Sequence, residues 1–342
     1  EKEAEKIDAV CVGTPDHTHA PAAAMALRLK KHTYCEKPLT HTILEARTLM
    51  KLAAENKLVT QMGNQIHAGD NYRRVVELVQ AGAIGPVKEV HVWAGAKYSG
   101  AKFTTNTQAP KTLNWDLWLG PTAERPYSEG VHPFNWRRFW AFGTGALGDF
   151  GCHYTDLAHW ALDLRAPTKL RAEGPPVDEV SAPDWCIVHY EYPARGTLPP
   201  VKLTWYDSGK RPDLLKTLKD DQGKPFDWAS GVLFVGEKGQ LISDYGRHFL
   251  LPRDKFAGFK APEPTIAKSL GHHNEFVNAI KNGGTTLSNF DYAGSLTEAV
   301  LLGVVAYRSG QEIVWDSANL KVVNAPSAQQ FVHKEYRKGW TL

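Results

Sequence analysis

Residues 7–38 read IDAVCVGTPDHTHAPAAAMALRLKKHTYCEKP and contain two short apolar runs separated by an alanine-rich segment. The first run, residues 7–12, is rich in β-branched residues and predicts a buried strand that ends at Gly13. The alanine-rich segment favours a helix, and residues 32–35 predict a second strand. Apolar residues at helical spacing predict another helix over residues 43–56. This order of strand, helix, strand and helix predicts a parallel sheet with helical crossovers.

Two loops follow the predicted strands, at the edge of the sheet where ligands bind in such folds. The first loop contains Thr14 and Pro15, and the second contains Glu36, Lys37 and Pro38. Pro38 disfavours helical geometry at the residue before it, so we expect the Lys37 side chain to extend from the strand end into the crevice. Taken alone, the pattern is equally compatible with a solvated surface lysine.

The motifs at these two strand ends resemble those of the GFO/IDH/MocA family of nicotinamide-dependent oxidoreductases. The residues that carry the resemblance are Thr14, Pro15, His19, Cys35, Glu36, Lys37 and Pro38. One departure is that the family usually has glycine where this chain has Lys30, at the end of the first helix. A residue other than glycine in a left-handed conformation costs about 1 kcal/mol, which is tolerable.

The start of the chain differs from the usual start of a dinucleotide-binding fold. Such folds begin with a strand, a Gly-x-Gly-x-x-Gly loop and a helix, followed by an acidic residue that binds ribose. The first six residues, EKEAEK, instead resemble the end of a charged helix. We therefore expect that about half of the nucleotide-binding domain lies outside this sequence, and that the chain as given binds NAD weakly or not at all. Any export signal would be hidden in the same way, so a cytoplasmic location is only the default expectation.

The character of the sequence changes at Lys88. Residues 89–94 alternate between apolar and polar types, and strand-like runs continue to about residue 251. We predict an α/β protein with an incomplete Rossmann-like parallel sheet in residues 1–87. An α+β domain with a large, mainly antiparallel open sheet follows in residues 88–342. The resemblance implies that this open sheet forms a homo-oligomer.

Composition excludes several classes of function. Lys plus Arg number 40 and Asp plus Glu number 37, so the chain lacks the excess of positive charge that is typical of nucleic-acid-binding proteins. No apolar run reaches the ~18 residues that a membrane span needs. The four cysteines form no Cys-x-x-Cys pair, and the pair His272-His273 has no spaced carboxylate or cysteine partner. We therefore expect no metal site, no nucleic acid partner and no membrane association.

A second cluster of chemical groups lies in residues 143–156, GTGALGDFGCHYTD. Asp149 and His153 are four residues apart, so on a helix their side chains are neighbours, and a carboxylate can orient an imidazole. Without further information, a helix-capping Asp149 and an incidental His153 would be slightly favoured. The cluster also resembles the second signature of the family, and the resemblance implies that Lys37, Asp149 and His153 are its catalytic residues.

The resemblance further implies NAD or NADP as cofactor. The residues expected to contact its nicotinamide end lie at the ends of the predicted strands: Thr14, Pro15, His17, His19, Glu36, Lys37, Asn64 and Gln65. Turn chemistry is the alternative reading of Asn64 and Gln65. A substrate is expected to contact the aromatic and basic residues Trp136 and Arg137 as well as the three catalytic residues.

Three functions remain open at the level of sequence. The leading hypothesis is hydride transfer to or from a secondary alcohol of a sugar or cyclitol. His153 would accept the hydroxyl proton, Lys37 would hold the same oxygen, and Asp149 would orient His153 or bind a neighbouring hydroxyl. The first alternative is an NAD-dependent enzyme that cleaves glycosides through transient oxidation. The second is a non-catalytic ligand-binding protein.

Overall fold

The computed structural model describes residues 3–105, 107–220 and 222–342. Glu1 and Lys2 of the predicted charged helix lie outside these residues. The described part of that stretch forms a single 3₁₀ turn over Ala4–Lys6.

A three-stranded parallel sheet occupies the first part of the chain, with the strands in the order β1-β2-β3. Its strands and helices alternate along the chain, as the sequence predicts: β1 Ala9–Val12, α1 Asp16–Arg28, β2 His32–Glu36, α2 Ile43–Glu55, β3 Thr60–Gly63 and α3 Asp70–Gln80. A 3₁₀ turn, Gln65–Ala68, separates β3 from α3. The Rossmann-like parallel arrangement is therefore confirmed.

Helix α1 begins at Asp16, earlier than the alanine-rich segment indicates. Pro15, with φ of −62°, immediately precedes the helix, and Pro21 lies inside it. Lys30 follows the helix with φ of +57°, the left-handed conformation expected for this position. The chain thus turns sharply from α1 into β2 without a glycine.

The second part of the chain forms a nine-stranded mixed sheet in the order β10-β9-β8-β4-β7-β6-β5-β11-β12. The strands are β4 Val87–Ala94, β5 Lys169–Glu173, β6 Ile187–Tyr192, β7 Val201–Asp207, β8 Gly231–Gly236, β9 Gln240–Ser243, β10 His248–Leu251, β11 Ile313–Asp316 and β12 Lys321–Val322. Only β4 and β7 pair in parallel, and all other neighbours are antiparallel. The prediction of a large, mainly antiparallel sheet is confirmed.

The remaining helices and turns are α4 Trp115–Leu119, α5 Gly145–Leu162, α6 His272–Asn282 and α7 Phe290–Ser309, with 3₁₀ turns at Asn135–Arg138, Asp213–Lys216, Asp254–Phe256 and Pro326–Phe331. Helices α5 and α7 pack against each other and against the large sheet. A Cβ atom at Gly303 would lie 2.2 Å from the Tyr190 hydroxyl, so glycine is required where α7 approaches β6. Among the described residues, no helix is both long and apolar enough to cross a bilayer.

The C-terminal helices also cover the small parallel sheet. The backbone N–H of Met62 in β3 donates to the carbonyl of Ser288 at 2.9 Å, and Thr286 Oγ1 donates to the carbonyl of Thr60 at 2.7 Å. Helix α7 packs along α2 on the same side. The edge of β3 is therefore held by hydrogen bonds to a segment more than 200 residues later, and the two sheets are fixed relative to each other.

The left-handed Lys30 gives a stability prediction. Lys30 is exposed, so its side chain contributes little packing. Glycine adopts this conformation without the steric cost that a Cβ atom brings, and Lys30→Gly should raise the free energy of unfolding by up to about 1 kcal/mol. Urea unfolding followed by circular dichroism measures the change. Lys31→Gly is the matched control, and it should not stabilise the protein; equal effects of the two substitutions would contradict the backbone explanation.

Candidate active site

The centre of the candidate site is a contact between the small sheet and helix α5. Lys37, immediately after β2, donates from Nζ to the backbone carbonyl of Asp149 at 2.9 Å and forms an ion pair with the Asp149 carboxylate. Arg137 Nε donates to the same carboxylate oxygen at 3.2 Å. Two motifs 112 residues apart in sequence therefore meet at one carboxylate.

Asp149 lies in the second turn of α5, because the helix begins at Gly145. The alternative that Asp149 caps this helix is wrong for the same reason. The preceding loop is tight, and a Cβ atom at Gly143 would lie 2.7 Å from the Arg137 Cα atom. Burial alone would raise the pKa of Asp149, but the charges of Lys37 and Arg137 hold it below its usual value. Asp149 is therefore a carboxylate at neutral pH.

His153 lies one helical turn after Asp149. Burial, and secondly the charge of Lys37, lowers the pKa of His153 to about 4, so the imidazole is neutral near pH 7. The Nδ1 atom is buried and has no hydrogen-bond partner in the part of the chain that the structure describes. In the same residues, no hydrogen bond joins Asp149 to His153. The Asp149 carboxylate contacts Lys37 and Arg137 instead. These contacts do not orient the His153 imidazole, which was one of the two roles considered for Asp149.

A cleft of about 470 Å³ opens beside this cluster. The predicted site residues that line it are Thr14, Pro15, Glu36, Lys37, Trp136 and Arg137. The Arg137 guanidinium lies 4.2 Å from the Trp136 ring centre and 4.5 Å from that of Phe134. The cleft therefore combines charged groups with aromatic walls, a composition suited to a polar ligand that has flat apolar faces.

Two histidines predicted to contact the cofactor lie elsewhere. His17 is buried, its Nε2 is 2.9 Å from the carbonyl of Trp118, and its ring packs against Trp118 and Phe142. His19 is also buried, and its ring nitrogens lie 2.8 Å from the Pro38 carbonyl and 2.7 Å from the Thr14 carbonyl. His19 thus connects the two strand-end loops from beneath, and neither histidine is part of the cleft lining.

Glu36, Asn64 and Gln65 form the adjacent edge of the site. Gln65 Nε2 donates to Glu36 Oε1 at 3.0 Å, and the Tyr34 hydroxyl donates to the same oxygen at 3.1 Å. A Cβ atom at Gly63 would lie 2.4 Å from Glu36 Oε2, so a larger residue at this strand end would displace the carboxylate from its present position. Asn64 accepts a hydrogen bond from Ser288 Oγ at 2.6 Å, while its Nδ2 is buried without a partner among the described residues.

Asp16 is a site residue that the sequence analysis does not identify. It begins α1, lines the cleft and accepts a hydrogen bond from Thr144 Oγ1 at 3.0 Å. Burial, and secondly the charge of Asp149, raises the pKa of Asp16 to about 7. In the sequence, only the position of Asp16 after Pro15 at a strand end pointed to this residue. Its raised pKa arises from burial, which depends on residues far away in the sequence.

The strand ends suit the nicotinamide end of a dinucleotide. A Cβ atom at Gly13 would meet no atom within 4 Å, so the backbone there is accessible to a ligand. Asn64 Nδ2 and His153 Nδ1 are buried without a partner among the described residues, and neither residue is part of the cleft lining. Thr14, Pro15, Glu36 and Lys37 are the cleft residues that would hold such a group.

Comparison with known protein families gives two matches, to two domains of one family. A profile described as "Oxidoreductase family, NAD-binding Rossmann fold" matches residues 2–64, and one described as "Oxidoreductase family, C-terminal alpha/beta domain" matches residues 71–198. Both carry the family designation GFO/IDH/MocA. Together they cover more than half of the chain.

Individual relatives match over different lengths. The dTDP-3,4-didehydro-2,6-dideoxy-alpha-D-glucose 3-reductase of Streptomyces violaceoruber is 40% identical over 86 residues, which is 25% of either chain. An uncharacterized oxidoreductase of Schizosaccharomyces pombe is 23% identical over 298 residues, 80% of this chain and 71% of the relative. The match thus spans a quarter of the first relative's length and about seven tenths of the second's.

Solved structures share the fold. An inositol dehydrogenase homolog from Azotobacter vinelandii, complexed with NADH and myo-inositol, superposes with a TM-score of 0.54 at 16% identity. The superposition covers 92% of this chain and 80% of that one. The similarity at this identity supports the architecture of both sheets.

The raised pKa of Asp16 gives a prediction about pH and stability. Between the unfolded pKa of 3.8 and the folded pKa of about 7, the folded protein keeps a proton that the unfolded chain releases. This contribution to stability is therefore complete at low pH and is lost as pH rises through 7. Asp16→Asn removes it, so the stability of the wild type relative to Asp16→Asn should fall by at least about 1 kcal/mol between pH 5 and 7.5.

Urea unfolding of both proteins at the two pH values measures this difference. The exposed Asp254 provides the matched control, Asp254→Asn, which should show no such trend. A constant difference between the wild type and Asp16→Asn across this range would contradict a raised pKa.

Proposed function

This chain belongs to the GFO/IDH/MocA family of oxidoreductases, and we propose that it transfers a hydride between NAD(P) and a secondary alcohol of a sugar or cyclitol. The observation that carries the proposal is the contact between Lys37 of the first sheet and Asp149 of α5. It brings an amine, a carboxylate and a neutral imidazole together beside a cleft at the strand ends.

The relatives support this class of substrate. One is named as a reductase of a deoxysugar nucleotide, and the solved inositol dehydrogenase homolog holds myo-inositol and NADH. Both names describe rings with several oxygen substituents, which are hydroxyls in myo-inositol and carbonyls in the deoxysugar. The aromatic and charged lining of the cleft suits such rings, because their C–H faces pack on aromatic side chains while their oxygen substituents pair with charged groups.

The cofactor supplies the hydride acceptor or donor when it is bound. Thr14, Pro15 and Glu36 would contact its nicotinamide ribose, since they line the cleft at the strand ends. Glu36 is kept in place by Tyr34 and Gln65, which leaves its carboxylate oriented before any ligand arrives. Such preorganisation reduces the entropy cost of binding.

Lys37 would position the reacting oxygen. Its amine is fixed by the Asp149 carboxylate and carbonyl, and an ammonium group has three N–H donors. The donor that Asp149 leaves free would bind the substrate hydroxyl, or the carbonyl in the reverse direction. Oxidation of the alcohol creates a C=O bond, and a nearby positive charge stabilises negative charge that develops on this oxygen.

His153 would accept the hydroxyl proton. Its imidazole is neutral at pH 7, so one ring nitrogen is unprotonated and can act as a base. The lowered pKa makes this base weaker than an ordinary histidine, and the hydrogen bond from Lys37 to the oxygen would compensate by making the hydroxyl more acidic. Asp16, which lines the cleft and has a pKa of about 7, is another group able to exchange a proton near neutrality.

Substitution of the two catalytic candidates in the full-length protein tests the proposal. Lys37→Met removes the amine while retaining most of the chain length, and His153→Gln removes the base. Each should lower kcat by at least about 100-fold, because each removes a group that acts on the reacting oxygen. NADH or NADPH formation with a panel of sugars and cyclitols measures the rate, and Lys338→Met, at an exposed lysine, is the control that should retain the wild-type rate.

Other outcomes favour other functions. Wild-type rates in both variants would contradict the mechanism. Release of an aglycone from a glycoside without net NADH formation would indicate glycoside cleavage by transient oxidation. Absence of turnover together with ligand binding in titration calorimetry would indicate a non-catalytic binding protein.

We further propose that the exposed part of the large sheet, around Glu89 and Lys202, mediates a homo-oligomer. On this face, Glu89 of β4 is in register with Lys202 of β7, which is in register with Glu191 of β6. All three side chains are exposed. A two-fold axis between β4 and β7 would pair Glu89 of each copy with Lys202 of the other.

Sedimentation velocity tests this assembly. The wild type should sediment as a homo-oligomer, and Thr204→Arg, in the middle of β7, should yield monomers because it places a long cation in the centre of this face. Lys51→Glu, on the exposed side of α2, is the control that should leave the assembly unchanged. A monomeric wild type at tens of micromolar would contradict the proposed interface.

A further inference from the structure

A second cavity of about 340 Å³ lies behind the glycine loop that precedes α5. Its lining shares no residue with the cleft of the candidate active site. Residues from five segments of the chain form its walls, including Arg125, Trp140, Arg308 and Phe331. Its volume lies within the range of small-molecule sites in proteins.

The two arginines in this cavity have no counter-ion. Within residues 3–105, 107–220 and 222–342, neither guanidinium forms an ion pair or a hydrogen bond, and the Nε atom of Arg125 is buried without a partner. Burial lowers the pKa of Arg308 to about 10, which still leaves it protonated at neutral pH. Two partly buried positive charges without a carboxylate are costly unless a ligand compensates them.

Aromatic rings hold both guanidinium groups. The Arg308 guanidinium lies 4.4 Å from the ring centre of Phe331 and 5.3 Å from that of Trp140. The Arg125 guanidinium lies 4.6 Å from Phe103 and 5.6 Å from Phe142. Stacking occupies the flat faces of a guanidinium but leaves its N–H edge free, and that edge matches the geometry of a carboxylate or phosphate.

The other charged residues of the cavity are already paired or lie at its rim. Lys334 Nζ donates to the His17 carbonyl at 3.1 Å and to His41 Nδ1 at 3.2 Å, and it pairs with Glu45 at 3.1 Å. Burial, and secondly the charge of Lys334, lowers the pKa of His41, so this ring is neutral. Glu335 is exposed and pairs with neither arginine. The uncompensated charge of the cavity therefore comes from Arg125 and Arg308.

We propose that this cavity is a binding site for the oxyanion of a small metabolite, a phosphate or carboxylate group held by Arg125 and Arg308. The site is distinct from the hydride-transfer cleft and does not depend on the function proposed for that cleft. The two are nevertheless adjacent, because Gly143 and Thr144 line the cavity while Thr144 Oγ1 donates to Asp16 in the cleft. A ligand in the cavity would contact the loop that sets the start of α5.

Titration calorimetry with inorganic phosphate tests the proposal in the absence of cofactor and sugar. A parallel titration with sodium gluconate, which carries a carboxylate, distinguishes the two oxyanions, and sodium chloride at matched ionic strength is the salt control. The variants are Arg125→Gln, Arg308→Gln and Arg308→Lys. Arg165→Gln, at an exposed arginine paired with Asp291, is the matched control for loss of one positive charge.

We expect saturable binding of phosphate or gluconate to the wild type and to Arg165→Gln. Each glutamine variant should bind at least about tenfold more weakly, since each loses charge-assisted hydrogen bonds. Arg308→Lys should be intermediate, because it keeps the charge but loses the planar fork. This graded series also separates ligand binding from misfolding, which near-UV circular dichroism of each variant checks independently.

Two results would overturn the site. One is absence of saturable binding by both anions in the wild type. The other is equal affinity in the wild type and in correctly folded Arg125→Gln and Arg308→Gln, which would place the anion on the general surface. Lys37→Met should bind the anion as the wild type does, so failure of the hydride-transfer proposal would be distinguishable from failure of this one.

Discussion

The contact of Lys37 with Asp149 joins the small parallel sheet to helix α5 at the proposed active site. Lys37 stands at the end of β2 and Asp149 in the second turn of α5, and both side chains are largely removed from water. A buried amine and a buried carboxylate each require the other, since either alone would carry a large desolvation cost. This pair fixes the end of β2 against α5, and Lys37 also lines the cleft.

The protonation states around the cleft follow from burial together with the charges of this pair. Asp149 remains ionised because Lys37 and Arg137 surround it, whereas Asp16 and His153 are both shifted toward their neutral forms, chiefly by burial. Burial removes water from Asp16 and His153, which makes the charged form of each group less stable than the neutral form. The neutral imidazole and the carboxyl group that titrates near pH 7 are the groups that can exchange protons under ordinary conditions.

The glycine loop before α5, which contains Gly143 and Thr144, contacts residues of both the cleft and the second cavity. Gly143 allows the backbone of Arg137 to approach closely, and Thr144 binds Asp16. On the opposite side the same loop contacts His41, whose Nε2 lies 3.2 Å from the Gly143 carbonyl. The proposed oxyanion cavity and the proposed active site are thus separated by one short segment, whose position depends on contacts from both.

The sequence by itself determined the local features of this protein. Apolar periodicity predicts the alternation of β1, α1, β2 and α2, and the change of pattern at Lys88 predicts the larger antiparallel sheet, because these signals depend only on neighbouring residues. The left-handed Lys30 also follows from a local turn. Family motifs placed Lys37 and Asp149 in one site, and the structure brings these two residues into contact.

Only the tertiary structure decided the features that depend on distant neighbours. The inward positions of His17 and His19, the raised pKa of Asp16 and the lowered pKa of His153 are all consequences of burial by segments far away in the sequence. The cavity lined by Arg125 and Arg308 includes C-terminal residues near Phe331 among its walls, far in sequence from the glycine loop. Desolvation is a property of the folded surroundings, so no local pattern of residues encodes it.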